Sequence, residues 1–143
     1  MIKKLVSIFA LPFLLFCFHI VLSLFDVYQK YHWPDIPMHV LGGVFIANSF
    51  SLALTYFQEK KLLSELNLLS TSVFLFALTS TAAVFWEFGE FSWDFFVHAS
   101  AQMSLEDTMV DMFLGIFWGG AALIVFLARH DIKEYTKKGK IPQ

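Results

Sequence analysis

Four stretches of this 143-residue chain, residues 5–25, 38–57, 68–88 and 108–128, run almost free of charge. Each has about the ~20 mainly apolar residues that an α-helix needs to cross ~30 Å of hydrocarbon. Serine, Pro12 and His19 interrupt the first, His39 lies at the start of the second, Glu87 at the end of the third, and Asp111 early in the fourth. The composition agrees: 57% of residues are hydrophobic and 15% charged, against roughly 45–50% and 25% in soluble domains. A disordered tail, a charged solenoid and most water-soluble enzymes are thereby excluded. The predicted fold is all-α, one membrane domain over residues 1–143 with four transmembrane helices and a short basic tail at 129–143. A net charge of −2 offers no basic field for nucleic acid. Cys17 is the single cysteine, so no internal disulfide or paired-cysteine metal site exists.

Lys3 and Lys4 before an apolar run resemble a secretory signal, but no small-residue cleavage site follows, and the tract before Cys17 lacks a lipoprotein box. A retained first helix is expected. Nine of the ten basic residues lie before the first span, between the second and third, or after the fourth; only Lys30 lies on the other side. The positive-inside rule then places both termini in the cytoplasm of a multi-pass protein of the cell membrane. The basic tail meets anionic headgroups most simply.

Eight of the twelve acidic residues fall in the two outer connections or the helix ends that meet them. His32, His39 and His98 lie there too, and Tyr28, Tyr31, Trp33, Trp86 and Trp93 are expected as an interfacial belt. Residues four apart share a helix face. Asp35, His39, Gly43, Ala47 and Ser51 form one stripe; Thr79, Ala83, Glu87 and Glu90 a second; Asp107, Asp111, Gly115 and Gly119 a third. Small residues permit close approach of membrane helices, and ionisable groups avoid lipid, so both constraints turn these faces inward. His19, Ser23 and Asp26 share a face that offers a fourth wall.

Local structure offers plainer roles for some of these groups. Asp35, just before Ile36-Pro37, sits where an N-cap is expected, and Ser104-Leu105-Glu106-Asp107 resembles a capping box. Asp111 lies a full turn deeper. Glu87 and Glu90 are expected to close the third helix, where the macrodipole disfavours anions. His19 reads as a packing residue, His98 as a further ligand, and Asn48 as a helix–helix hydrogen bond. Carboxylates converging without a cation repel one another; a metal ion or shared protons relieve this. The expected metal ligands are Asp35, His39, Glu87 and Asp111, with Glu90 and Asp107 as catalytic carboxylates. Imidazole with carboxylate favours zinc first, then manganese or iron. No HExxH, P-loop, GxSxG or dinucleotide fingerprint is present.

Three segments resemble the YjdF-like (DUF2238) bacterial inner-membrane family. Asp35-Ile36-Pro37-Met38-His39 with Gly43 is similar to its D-x-x-x-H-x-x-x-G segment, and Phe85-Trp86-Glu87-Phe88-Gly89-Glu90-Phe91 to its F-Y-E-x-x-E-W segment. Glu106-Asp107-Thr108-Met109-Val110-Asp111-Met112, followed by Gly115, is similar to W-D-T-x-x-D-M, with Glu106 in place of tryptophan. More loosely the pattern resembles VanZ-like proteins, with Asp111 where those usually carry asparagine. The resemblance implies a membrane location and a shared site without naming a reaction.

Three functional classes follow from the site chemistry. One is a metal-dependent hydrolase or transferase acting on a lipid-linked substrate at the extracytoplasmic end. Another is a non-catalytic accessory protein that binds an amphiphile, as a VanZ-like resemblance implies. The third is a proton- or cation-coupled transporter, disfavoured by the few polar residues in the inner halves of the helices. The expected partners are the lipid bilayer, an amphiphilic small molecule and a second copy of the chain in a homo-oligomer.

Overall fold

A computed structural model describes residues 1–97, 102 and 104–137. Six helices follow one another: α1 (Ile2–Ile8), α2 (Ala10–Leu24), α3 (Val27–Lys30), α4 (Asp35–Glu59), α5 (Leu68–Val97) and α6 (Leu105–Lys137). Among the described residues there is no strand. Asp35–Glu59, Leu68–Val97 and Leu105–Arg129 are each long and apolar enough to cross a membrane. Ile2–Ile8 and Ala10–Leu24 make a fourth span if the pair is counted as one, bent by 57°.

That bend corrects the expectation of one continuous helix over residues 5–25. Pro12 is the third residue of α2. It has no N–H for the carbonyl four residues back, and its ring crowds that carbonyl. The carbonyl in question, Ile8, accepts a hydrogen bond from the Ser49 hydroxyl of α4 instead, at 2.8 Å. At the other end of α2, Asp26 adopts φ 53°, a left-handed conformation that aspartate tolerates better than most residues. The chain reverses there, and α3 lays Tyr28 back over α2.

The other helices outrun their hydropathy windows. α5 continues to Val97, about 45 Å in all. Glu87 and Glu90 therefore lie about two turns or more from its end, and the macrodipole, confined to the last turn, does not act on them as expected. α6 begins at Leu105 and runs through Lys137, so part of the expected tail is helical, while residues 138–143 lie outside the described residues.

α4 packs principally on α6, α5 closes on both, and α2 lies along α4. Glycine explains the closest seam. A Cβ on Gly43 would overlap the carbonyl oxygen of Gly115 and stand 3.0 Å from the Gly119 nitrogen. Ala47, Leu54, Leu75 and Leu123 form the core below this seam. Phe13, Phe85, Phe113 and Phe117 lie exposed on the outside, as lipid-facing side chains do. Asn48, expected to bond a neighbouring helix, is exposed.

Candidate metal centre

The start of α4, the second half of α5 and the start of α6 meet at one end of the bundle. α4 contributes Asp35 and, one turn on, His39, both buried. Asp35 is not an N-cap: Pro34 holds that position without a side-chain cap bond. Its carboxylate turns inward instead, with Oδ1 3.3 Å from His39 Nε2. The same nitrogen is 3.7 Å from Glu90 Oε1 and 4.0 Å from Asp111 Oδ2, while Nδ1 faces Glu87 Oε1 at 3.5 Å. One imidazole is thus ringed by four carboxylates from three helices.

Helical phase accounts for each arm. Glu87 and Glu90 follow Thr79 along the buried face of α5. Trp86 adds a donor from the same helix, its Nε1–H meeting Glu90 Oε1 at 2.7 Å. On α6 the Asp107 backbone N–H donates to the Ser104 hydroxyl, the expected N-terminal cap. Asp111 lies one turn further, buried, with Gly115 and Gly119 below it. Asp107 itself is half-buried and belongs to none of the clustered ligand groups among the described residues. The expectation for His98 lies outside the described residues.

Sequence reasoning gave His19 only a place on a fourth wall, and it missed Tyr28. His19, read as packing, is buried with Nε2 3.3 Å from Glu90 Oε1. Tyr28, read as part of an interfacial belt, is buried and its hydroxyl hydrogen-bonds His19 Nδ1 at 2.9 Å. Burial, with Asp35 and Glu90 nearby, pushes that hydroxyl above its ordinary range, so it stays protonated at neutral pH. Trp86 also leaves the expected belt: its ring stands edge-on between the two imidazoles, 5.2 Å from His19 and 5.9 Å from His39. Tyr31 and Trp33 remain exposed. The signal for His19 was present in Pro12, His19 and Ser23, which share the buried face of α2.

Three overlapping sets bring one ligand atom per residue within 4.8 Å of one another: His19, Asp35 and Glu90; Asp35, His39 and Asp111; His39, Glu87 and Glu90. Ligand atoms about 2.0–2.2 Å from an ion lie roughly 3–3.5 Å apart, close to the shorter spacings here. No lysine or arginine enters the cluster among the described residues. His39 Nε2 and Glu87 Oε1 are fully buried with no hydrogen-bond partner. Groups so buried normally have one. Beside the cluster, a cleft of about 530 Å³ opens between α5 and α6, lined by Glu87, Phe88, Phe91, Gln102, Leu105 and Met112 among others. Gln102 reaches the Glu87 backbone carbonyl at 3.3 Å through its side-chain amide and, through its backbone N–H, donates to Asp94 at 2.8 Å. The cluster is therefore buried, and an apolar cleft reaches it at Glu87.

Comparison with protein families returns a match over residues 3–132 to the model described as "Predicted membrane protein (DUF2238)". No curated protein and no solved structure matches the chain.

Proposed function

The chain belongs to the DUF2238 family of predicted membrane proteins, and we propose that its buried cluster is the divalent-metal centre of a hydrolase or transferase acting on a lipid-linked substrate. The observation that carries this reading is the convergence of Asp35, Glu90 and Asp111 within 3.3–4.0 Å of the buried His39 Nε2, beside an apolar cleft that reaches Glu87. The basic asymmetry of the sequence supports an extracytoplasmic position for this end of the bundle.

Asp35, His39, Glu90 and Asp111 would hold the ion, for the three carboxylates converge on His39 Nε2. A divalent ion supplies positive charge that lowers the pKa of water and polarises a phosphoryl or acyl oxygen. Glu87 is better placed than Glu90 as general base, because it lines the cleft while Glu90 is enclosed by His19, His39 and Trp86. The two glutamates thus exchange the roles that their sequence positions suggested, and Asp107 lies in the first turn of α6, which Ser104 caps. Phe88, Phe91 and Met112 suit an acyl or isoprenoid chain lying in the cleft. Imidazole among the ligands favours zinc, then manganese or iron.

Transport is disfavoured by the interior. A polar cavity of about 260 Å³ at the opposite end is lined by Thr55, Gln58, Asn67 and Thr71 among others. The glycine seam and the Ala47–Leu75–Leu123 core lie between it and the cluster.

Elemental analysis of the purified protein tests the metal, and turnover of amphiphilic phosphate and carboxylate esters tests the chemistry. Stoichiometric metal is expected, with a melting temperature that falls on chelation and recovers on reloading. Glu87→Gln is expected to keep the metal and lose about 10²–10⁴-fold in turnover. A metal-free protein that melts identically with chelator would defeat the reading. Metal with tight amphiphile binding and no turnover would convert it to capture.

A further inference from the structure

We propose that the centre holds two metal ions rather than one, and that His19 of the bent first span supplies the second imidazole. This rests on the metal reading above and extends it. Asp35 and Glu90 lie between two imidazoles. Glu90 Oε1 is 3.3 Å from His19 Nε2 and 3.7 Å from His39 Nε2. Asp35 stands 3.3 Å from His39 and shares a compact ligand set with His19. Both imidazoles face the same oxygen, Glu90 Oε1, so this carboxylate stands where it would join an ion on the His19 side to one on the His39 side.

The far nitrogens support the same division. A ligating histidine normally has its other ring nitrogen held by a polar partner. Here Tyr28 holds His19 Nδ1 at 2.9 Å, and Glu87 faces His39 Nδ1 at 3.5 Å. Both Nε2 atoms are left pointing at the central carboxylates. The two imidazoles fall in different compact ligand sets, as they would with one ion each. Asp111 completes the set on the His39 side.

Charge leads to the same count. Asp35, Glu87, Glu90 and Asp111 carry four negative charges when ionised, and lysine and arginine are absent from the cluster among the described residues. One divalent ion leaves an excess of two in a low-dielectric interior, where unpaired charge is costly. Two divalent ions leave none. His39 Nε2 is buried among carboxylates, with Asp35 Oδ1 nearest at 3.3 Å and no lysine or arginine beside it among the described residues. A pair of ions about 3.5–4 Å apart would supply charge to both the attacking and the leaving oxygen of a displacement at phosphorus, a chemistry that suits lipid-linked phosphate esters.

The test loads the intact, detergent-purified protein with Mn²⁺ alone, removes the excess, and measures metal per chain and the electron paramagnetic resonance spectrum. Two ions per chain with the spectrum of an exchange-coupled pair are expected. His19→Gln, which keeps the side-chain volume, is expected to hold one ion with an uncoupled spectrum. Tyr28→Phe is expected to keep the fold and weaken binding of one ion at least tenfold. One ion per wild-type chain, or two without coupling, overturns the pair and leaves the single-metal reading standing. No bound ion overturns both. A coupled pair that survives in His19→Gln overturns the assignment of His19.

Discussion

Gly43 and Gly89 are both glycines in apolar helices, yet they bear opposite constraints. A methyl group on Gly43 meets the backbone of Gly115 and Gly119, which cannot move aside without separating α4 from α6. Gly43→Ala is therefore expected to destabilise the protein by about 1–3 kcal/mol, the usual penalty for overpacking. Around Gly89 nothing lies within 4 Å, so Gly89→Ala is expected to gain about 0.5–1 kcal/mol by relieving glycine's entropic cost in a helix. Reversible unfolding of the two variants in mixed micelles checks both signs. Asp111→Asn is expected to insert normally, since the amide fits the same space, and to lose the stabilisation that added metal gives the wild type; melting with and without chelator measures this. These inward residues were legible because small and ionisable side chains repeat at helical spacing, and lipid forbids turning them outward. His19 was not legible in the same way. Its face could be read from Pro12, His19 and Ser23, but its partners, Tyr28 and Glu90, lie on other helices. Nor was the division of labour between Glu87 and Glu90, three residues apart on one face, visible before the cleft was.

At the scale of elements, the bend between α1 and α2 links Ile8 and Pro12 to a serine in α4. Pro12 breaks the helix, the Ile8 carbonyl is left without its helical donor, and Ser49 supplies one. Ser49→Ala should cost about 1–3 kcal/mol, because it leaves a buried acceptor unpaired. In a Pro12→Ala background the backbone can donate to Ile8 again, so the cost of Ser49→Ala should shrink. A double-mutant cycle read by unfolding is expected to give a coupling of roughly 0.5–3 kcal/mol; additive effects would show that the two residues act independently. The proline was plain in the sequence, but its consequence depended on a serine in another helix. Helix ends were misjudged for a related reason. Hydropathy marks where lipid begins and ends, whereas α5 and α6 continue as far as their backbone hydrogen bonds persist.

For the whole molecule, the four apolar segments and their inward faces were readable because a membrane allows few alternatives to helices. The charge asymmetry adds orientation, which can be tested in the intact chain. In a Cys17→Ala background, Trp33→Cys, at a strongly exposed position, is expected to react with a membrane-impermeant thiol reagent added outside cells. Lys61→Cys is expected to react only after permeabilisation. The reverse pattern would invert the topology. The order of residues along the chain sets a further constraint, in time. His19 precedes both carboxylates that face it, and Glu90 lies two spans further on. A chain inserted only through α2 and α3 has Tyr28 as the partner of that imidazole and nothing on its other side. Asp35 and His39 come with α4, Glu87 and Glu90 with α5, and Asp111 last, with α6. No stage short of the full set of spans contains the centre, so its closure and the completion of the fold are one event.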